Sequence, residues 1–360
     1  MITVTVDLKQ RSYPIFIGSG LLNKPGLLDP YIEGRDVLVV TNESIAPLYL
    51  EPLQQMLGQS RHSVVVLPDG EDHKNLTTLN LIFDELVAQR FGRDCILVAL
   101  GGGVVGDMCG FAAASWQRGV DFIQVPTTLL AQVDSAVGGK TAVNHAGGKN
   151  LIGAFHQPLC VLADTDTLRT LPERELSAGL AEVVKYGLIK DPVLFEWLES
   201  MAGKLINRDA DSLVHAIKRS CEIKAEVVAA DEHERGQRAL LNMGHTFGHA
   251  IERCAGYGTV LHGEAVAAGS VMAATFSMRL GWISEVDVER IKDLFIRLAL
   301  PTEPPAMDAA EFFSAMSLDK KVAAGQIRLV LLRAIGDAEL VADYPGDQLL
   351  ELLREQFVDH

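Results

Sequence analysis

A disulfide framework is the first thing this sequence lacks. Its five cysteines, Cys95, Cys109, Cys160, Cys221 and Cys254, are odd in number and scattered, and no two have CxxC spacing. They read as reduced residues of a cytoplasmic protein. Long apolar runs are missing too: Gly, Asp or Lys interrupts each one before it reaches the length of a membrane span, which excludes a helical membrane protein. The opening Met1-Ile2-Thr3-Val4-Thr5-Val6-Asp7 alternates like a strand and lacks the charged start and apolar block of a secretory leader. Positive charge is scarce. With 32 Lys and Arg against 47 Asp and Glu the net charge is −15, so nucleic acid and anionic membrane surfaces are excluded as partners. An anionic small molecule fits only where basic residues gather locally, so lysines and arginines near Gly-rich loops are the ones to follow. Internal repeats and low-complexity segments are absent.

What is present fits a globular protein with a substantial core: 48% of the residues are hydrophobic and 22% charged. A chain of 360 residues makes one large or two ordinary domains. Ile2–Leu8 and Tyr13–Ile17 read as a hairpin. Short apolar runs at Val37–Val40, Val64–Leu67, Cys95–Leu100 and Val120–Val125 read as buried strands, with helical spacing at about Ser44–Leu57, Leu76–Gln89 and up to Ala114. Strands alternating with helices predict a parallel sheet covered on both faces, with ligands beyond the carboxyl ends of its strands. After Leu162 the pattern turns helical: Leu171–Ile189, Leu194–Leu205, Ser212–Ala230, His245–Cys254, Glu264–Leu280 and Val286–Leu298. A small hairpin follows near Ile327–Leu332 and Ala338–Val341, then a closing helix over Gly346–Phe357. The domain boundary is expected near residues 163–170.

Chemistry-bearing residues cluster at the expected strand ends. Gly101-Gly102-Gly103-Val104-Val105-Gly106 matches GxGxxG after a strand, with Asp121 twenty residues beyond Gly101. It does not open the first βα unit, and Asp121 begins a strand rather than ending one, so a standard dinucleotide fingerprint is not met. Backbone amides at a helix N-terminus still suit a pyrophosphate, although a tight turn for helix–sheet approach would use the same glycines. In Pro68-Asp69-Gly70-Glu71-Asp72-His73-Lys74, Glu71 can accept ribose hydroxyls and Lys74 can neutralise a phosphate, and a solvated loop would look alike. Residues 132–153 are expected to be a long loop with two Gly-Gly-Lys elements, Gly138-Gly139-Lys140 and Gly147-Gly148-Lys149. The earlier glycine of a P-loop is missing, which rejects an ATP site. Paired glycines and lysines in such a loop suit a phosphate or a carboxylate.

The second half gathers metal-ligand chemistry. Three of the ten histidines, His245, His249 and His262, fall in one short stretch. His245 and His249 share a helix face, and His262 follows the break at Gly256-Tyr257-Gly258. A metal site and an ordinary buried helix pair are both compatible with this. The HExxH arrangement is not present. Glu182, three residues before Lys185 on an apolar helix, can supply the carboxylate of a His2Glu site. Lys224 lies late in another helix, and Glu234, Arg238 and Asn242 have four-residue spacing.

Together these pieces resemble the 3-dehydroquinate synthase family of sugar phosphate cyclases over nearly the whole chain. The resemblance rests on Gly101–Asp107, Pro126-Thr127-Thr128 through Lys140, Gly147-Gly148-Lys149-Asn150, Ala178-Gly179-Leu180-Ala181-Glu182 and Asn242-x-Gly244-His245-x3-His249. It implies an α/β, Rossmann-like NAD-binding domain over residues 1–165 and a mainly α-helical metal- and substrate-binding domain over 166–360. It implies Glu182, His245 and His262 as ligands of a divalent metal, zinc or cobalt, and releases His249 from that role. NAD contacts are implied for Asn42, Asp69, Gly70, Glu71, Asp72, His73, Lys74, Gly103, Val104, Val105, Gly106, Asp107, Thr127, Thr128, Lys140, Lys149, Thr167, Leu168, Arg169 and Thr170. Substrate contacts are implied for Asp134, Lys140, Asn150, Lys185, Lys224, Arg238, Asn242, His249 and Lys320 or Lys321. Arg118 is implied to reach a neighbouring subunit's site in a homodimer. Family members convert 3-deoxy-D-arabino-heptulosonate 7-phosphate into 3-dehydroquinate and phosphate, on the way to aromatic amino acids, by transient oxidation, phosphate elimination, re-reduction and aldol closure. NAD is recycled and the metal acts as a Lewis acid. Another sugar phosphate cyclase, or a metal-dependent polyol dehydrogenase, would share much of this pattern.

Overall fold

The computed structural model of the chain describes residues 1–234, 236–256, 258–317, 322–323 and 326–357. In chain order the elements are β1 (Ile2–Val6), β2 (Tyr13–Gly18), α1 (Asp29–Ile32), β3 (Val37–Asn42), α2 (Ala46–Leu57), β4 (His62–Leu67), α3 (Leu76–Ala88), β5 (Ile96–Gly101), α4 (Gly103–Ser115), β6 (Asp121–Pro126), β7 (Lys140–His145), β8 (Gly148–Phe155) and β9 (Val161–Asp164). Helices α5 (Glu173–Ile189), α6 (Pro192–Ile206), α7 (Ala210–Ala230), α8 (His245–Ala255), α9 (His262–Arg279), α10 (Glu285–Arg297) and α11 (Ala309–Ser317) follow. The chain closes with β10 (Val322–Ala323), β11 (Gln326–Ile327), β12 (Leu329–Ala334), β13 (Asp337–Val341) and α12 (Gly346–Gln356).

The first unit is built on a seven-stranded sheet in the order β1-β2-β9-β6-β5-β3-β4. Only β1 and β2 pair antiparallel, with Val4 opposite Ile15; the other neighbours run parallel. Strands β3 and β5 are buried at every position, as expected of a sheet covered on both faces. Two apolar clusters do the covering. One packs α3 and α4 under Leu38, Val40, Leu97 and Ala99, and the other packs Leu53 and Leu57 of α2 against Val37, Val39, Ile96 and Val98. The chain runs outward from β3 to β4 and then returns to the other side of β3 for β5, so the order reverses between β3 and β5. In open α/β sheets that reversal leaves a crevice at the carboxyl ends, where Asn42, Gly101 and Gly102 stand here.

Two departures from expectation lie in this unit. Residues 140–155 are a β-hairpin rather than loop, with Lys140 paired to Phe155 and Val143 to Ile152. Its apolar residues, Val143, Leu151, Ile152 and Phe155, do not alternate cleanly with polar ones, so the period-2 signal is weak. Packing fixes the hairpin instead: Val143 joins the α3–α4 core, and a Cβ at Gly153 would stand 2.1 Å from the Thr141 carbonyl oxygen. The short strand β9 also had no signal distinct from the change of pattern after Leu162.

The chain divides into compact units of residues 1–171 with 213–233, and 172–212 with 234–360. Most of α7 therefore packs with the sheet unit although helices of the other unit flank it in sequence. Cys221 Sγ lies 3.3 Å from the Gln132 carbonyl oxygen, and Lys224 Nζ lies 2.7 Å from Asp134 Oδ1. An apolar helical face carries no record of which core it joins, so this return is invisible in the spacing.

The second unit is helical, with α8 and α9 packed along glycines. A Cβ at Gly269 would stand 2.2 Å from the Gly244 carbonyl oxygen, and one at Gly248 would stand 3.1 Å from that of Ala265. The β12–β13 hairpin and α12 complete the unit as expected from the sequence. Among the described residues, no helix is long and apolar enough to cross a membrane.

Candidate metal centre and nucleotide-binding face

Three helices of the second unit bring Glu182, His245 and His262 together. Glu182 lies in the middle of α5 and is fully buried. His245 opens α8, directly after Gly244, which adopts a left-handed φ of 76°. A side chain at Gly244 would also meet Ser270 Oγ at 2.4 Å, so only glycine lets the start of α8 lie this close to α9. His262 opens α9, whose first turn is tied down by Glu264: Oε2 accepts from the Leu261 amide at 2.8 Å, and Arg174 donates to both carboxylate oxygens.

Glu182 Oε1 stands 3.4 Å from His262 Nε2 and 3.6 Å from His245 Nε2. Donor atoms of a tetrahedral zinc with bonds near 2.0–2.1 Å are about 3.3–3.5 Å apart, so the spacing and the donor types suit that ion. Each imidazole is also held at its other nitrogen. His245 Nδ1 lies 3.0 Å from the Met243 carbonyl oxygen, an acceptor that puts the ring proton on Nδ1 and the lone pair on Nε2. His262 Nδ1 lies 3.6 Å from Glu252 Oε2. Burial draws the His262 pKa down, but Glu182 and Glu252 outweigh it and push the imidazole up to about 10 without metal. Lys185, almost fully buried, forms an ion pair with Glu182 on the same helix. His249 is half-buried one turn beyond His245, with ring centroids 5.6 Å apart. A second group, His249, Glu252 and His262, also has ligand atoms within 4.8 Å of one another.

Arg238 is buried and Asn242 Nδ2 donates to Glu234 Oε1 at 2.6 Å. Residues Gln237–Asn242 form a 3-10 turn rather than an α-helix, so Glu234 and Asn242 meet through the turn and not through helical four-residue spacing. The expected contacts of Lys320 or Lys321 lie outside the described residues.

In the first unit most of the expected nucleotide residues follow the carboxyl ends of β3, β4, β5, β6 and β9, while Lys140 and Lys149 lie on the β7–β8 hairpin. Gly103 to Gly106 form the first turn of α4: the Gly106 amide closes onto the Gly102 carbonyl at 3.0 Å, and the amides of Gly103, Val104 and Val105 face out of the helix end. The glycines also serve close packing: a Cβ at Gly106 would meet Gln124 Oε1 at 2.7 Å, and one at Gly103 would meet Ser135 Oγ at 2.9 Å. Val105 belongs to the core, while Val104 is half-buried. Asn42 Nδ2 and Ser44 Oγ both donate to Asp69 at 2.6 Å. Gly70, Asp72 and His73 are exposed, and Glu71 Oε1 accepts from Asn144 Nδ2 at 2.8 Å. Thr127 Oγ1 is buried and meets no hydrogen-bond partner among the described residues, an open polar position at the end of β6. Thr128 Oγ1 accepts from the Ala131 amide at 3.2 Å. Thr167 is buried and bonded to Gln132, Leu168 is core, Arg169 pairs with Asp166 at the surface, and Thr170 Oγ1 is 2.5 Å from the Tyr49 hydroxyl. The orphaned Thr127 hydroxyl and the α4 amides fit a dinucleotide.

Lys74 is buried and donates to Asp107 Oδ2 at 2.5 Å and Asn150 Oδ1 at 2.7 Å. Burial lowers its pKa, but Asp107 and Glu71 overcome that and keep it charged. Asp134, beside Lys224, lies in a five-residue π-helical turn, Ala131–Ser135. Lys140 is exposed, Lys149 is half-buried, and Asn150 has a left-handed φ of 53°. Arg118 is exposed on a turn, with φ of 74°. Sequence reasoning missed Glu252, Asn144, Gln132 and Tyr49. Only Glu252 had a legible signal, seven residues after His245 and so on the same side of α8.

Comparisons with known proteins accord with this arrangement. The family model described as 3-dehydroquinate synthase N-terminal matches residues 64–178, and the one described as 3-dehydroquinate synthase C-terminal matches 179–322. The 3-dehydroquinate synthase of Nitrosococcus oceani is 60% identical over 350 residues, covering 97% of this chain and 98% of its own. Among solved structures, 2-epi-5-epi-valiolone synthase from Streptomyces hygroscopicus, with NAD+ and Zn2+ bound, superposes with a TM-score of 0.90 at 29% identity, covering 97% of this chain and 98% of its own. A 2-deoxy-scyllo-inosose synthase complexed with carbaglucose-6-phosphate, NAD+ and Co2+ gives 0.88 at 28% identity, covering 99% of this chain and 100% of its own.

Proposed function

This chain belongs to the 3-dehydroquinate synthase family, and from that premise we propose how its residues divide the work. The reaction is the phosphate-eliminating cyclisation of 3-deoxy-D-arabino-heptulosonate 7-phosphate to 3-dehydroquinate, with NAD and a divalent metal as cofactors. The observation that carries the division is the convergence of one carboxylate and two imidazoles from three separate helices onto one zinc-sized space.

Glu182, His245 and His262 hold the metal, which supplies Lewis-acid polarisation of the substrate oxygens when bound. Asn42, Asp69 to Lys74, Gly103 to Asp107, Thr127, Thr128, Lys140, Lys149 and Thr167 to Thr170 hold NAD, which supplies reversible hydride acceptance. In that set the α4 amides take the pyrophosphate, and Glu71, in the loop after β4, takes ribose hydroxyls. Lys74 is held charged by Asp107, so it orients that carboxylate and Asn150 rather than binding a phosphate directly.

The substrate is a carboxylate and a phosphate, and an acidic protein must gather cations to hold it. Lys140, Lys224, Arg238 and Lys320 or Lys321 are assigned to those anions, with Asn150 and Asn242 completing the polar contacts. Asp134 keeps Lys224 charged and in place. Lys185 balances the buried charge of Glu182, and His249 stands beside the ligand histidines as the proton-transfer group. The sheet unit is assigned to NAD and the helical unit to metal and substrate; the compact units divide at 171/172 rather than at the expected 165/166, which keeps Thr167 to Thr170 with the sheet, and α7 brings Lys224 to the sheet unit. A cytoplasmic homodimer is proposed as well. The five unpaired cysteines and the exposed Arg118 turn support it.

Purified protein supplied with NAD, zinc and the heptulosonate phosphate is expected to release phosphate and 3-dehydroquinate in equal amounts, with no net gain in NADH absorbance. Absence of phosphate release would sink the cyclase assignment. NADH accumulating in step with product would favour the polyol dehydrogenase reading.

A further inference from the structure

Glu252 is a buried carboxylate, 3% exposed, that the assignments above do not use. It lies on α8 two turns beyond His245, in the helix pair formed with α9. A carboxylate in such a place is costly unless a cation or a hydrogen-bond donor faces it. One edge of His262 faces it: Oε2 is 3.6 Å from Nδ1, while the opposite edge presents Nε2 to Glu182 at 3.4 Å. The imidazole therefore sits between two carboxylates, one on the metal side and one behind it. His245 has the same arrangement with a backbone acceptor, since its Nδ1 lies 3.0 Å from the Met243 carbonyl oxygen. His262 is the more exposed of the two rings, and its side chain needs a fixed partner more than the enclosed His245 does.

We propose that Glu252 is a positioning residue for the metal centre. It accepts the Nδ1–H of His262, fixes the ring with Nε2 toward Glu182 and His245, and raises the basicity of that nitrogen. It does not touch the metal. The proposal rests on the assignment of Glu182, His245 and His262 as ligands. It competes with one alternative that the geometry also contains, in which Glu252 itself coordinates with His249 and His262.

The test measures zinc affinity of the full-length chain by competition with a chromophoric chelator, together with the visible absorption of the Co2+-loaded protein. Wild type is compared with Glu252→Gln, Glu252→Ala and His262→Ala. The glutamine variant keeps an acceptor at the same place and stays near the wild-type shape, so it remains informative if alanine impairs folding. The expected order is a loss of several-fold for Glu252→Gln and about 10–100-fold for Glu252→Ala. His262→Ala should lose more than either, and the Co2+ bands of both Glu252 variants should keep wild-type intensity. Wild-type affinity in both Glu252 variants would overturn the positioning role. A loss in Glu252→Ala equal to that in His262→Ala, with altered Co2+ bands, would overturn it by making Glu252 a ligand. Wild-type affinity in His262→Ala would instead remove the ligand assignment on which the proposal stands.

Discussion

Replacing Gly263 by alanine tests whether backbone separation sets the metal centre. Gly263 follows His262 in the first turn of α9 and lies against the middle of α5. A Cβ at this position would stand 2.0 Å from the Ala178 carbonyl oxygen and 2.4 Å from its Cα, whereas real Cβ contacts essentially never fall below 3.0 Å. The obstacle is backbone in the interior of α5, so no rotamer change relieves it. The start of α9 must therefore retreat by about 1 Å or more. His262 moves with it, and ligand distances in a metal site tolerate about 0.2 Å. Second-shell losses cost about 10–100-fold in metal affinity, so a displaced ligand should cost at least about 100-fold, or about 2.8 kcal/mol. Overpacking should also lower folding stability by about 1–3 kcal/mol. The assay is chelator competition on metal-free protein, with circular dichroism to establish that the fold is kept and thermal unfolding to read stability. Zinc affinity within about twofold of wild type, with an unchanged unfolding temperature, would refute the argument that the α5–α9 approach fixes the site.

Gly203→Ala is the matching control, because Gly203 lies in α6 with nothing within 4 Å of its would-be Cβ. It should stabilise the chain by about 0.5–1 kcal/mol in denaturant unfolding and leave zinc binding alone. A thiol reagent at pH 8 should label only Cys254 in the folded protein, as it is half-buried whereas the other four cysteines are buried. Burial pushes the thiol of Cys95 up to about 11 and those of Cys160 and Cys221 up to about 12. Rapid labelling of Cys221, located by peptide mapping, would contradict its packing against Gln132. Arg11 donates two hydrogen bonds to Glu232 and holds its carboxyl below the usual 4.5. A lowered folded-state pKa gives stability that is present above 4.5 and lost as pH falls through the folded value. The deficit of Arg11→Ala, about 1 kcal/mol or less for so exposed an arginine, should be full at pH 7 and fade in acid. A deficit that grows below pH 4 would disprove the pairing.

The sheet and most helices were legible because burial imposes a period. Val37–Val40 and Cys95–Leu100 are continuous apolar runs, and α8 and α9 repeat apolar residues at helical spacing. The hairpin of β7 and β8 was not legible, since Gly147, Gly148, Asn150 and Gly153 carry no alternation and the structure holds them by backbone contact. For the metal centre, spacing alone marked His245 and His249 as a pair. The structure instead groups His245 with His262 and Glu182, which lie 17 and 63 positions away in the chain. Nothing local encodes such a convergence, and the family resemblance supplied it. The same limit hid Glu252, whose meaning depends on a histidine of the next helix.

The placement of α7 has a consequence for how the protein is made. A ribosome delivers residues 1–171 long before Leu213–His233, and only the later segment supplies Lys224 for Asp134 and Cys221 for the Gln132 carbonyl. The sheet unit therefore cannot finish its own interior as it emerges. It must wait for the partners of Asp134 and of the Gln132 carbonyl while α5 and α6, which belong to the other unit, are synthesised. A chain that stalls or is cut after Leu171 leaves a fragment in which Asp134 lacks Lys224 and the Gln132 carbonyl lacks Cys221. An exchange of the sheet unit as a module must therefore carry α7 along, although α7 is encoded between helices of the other unit.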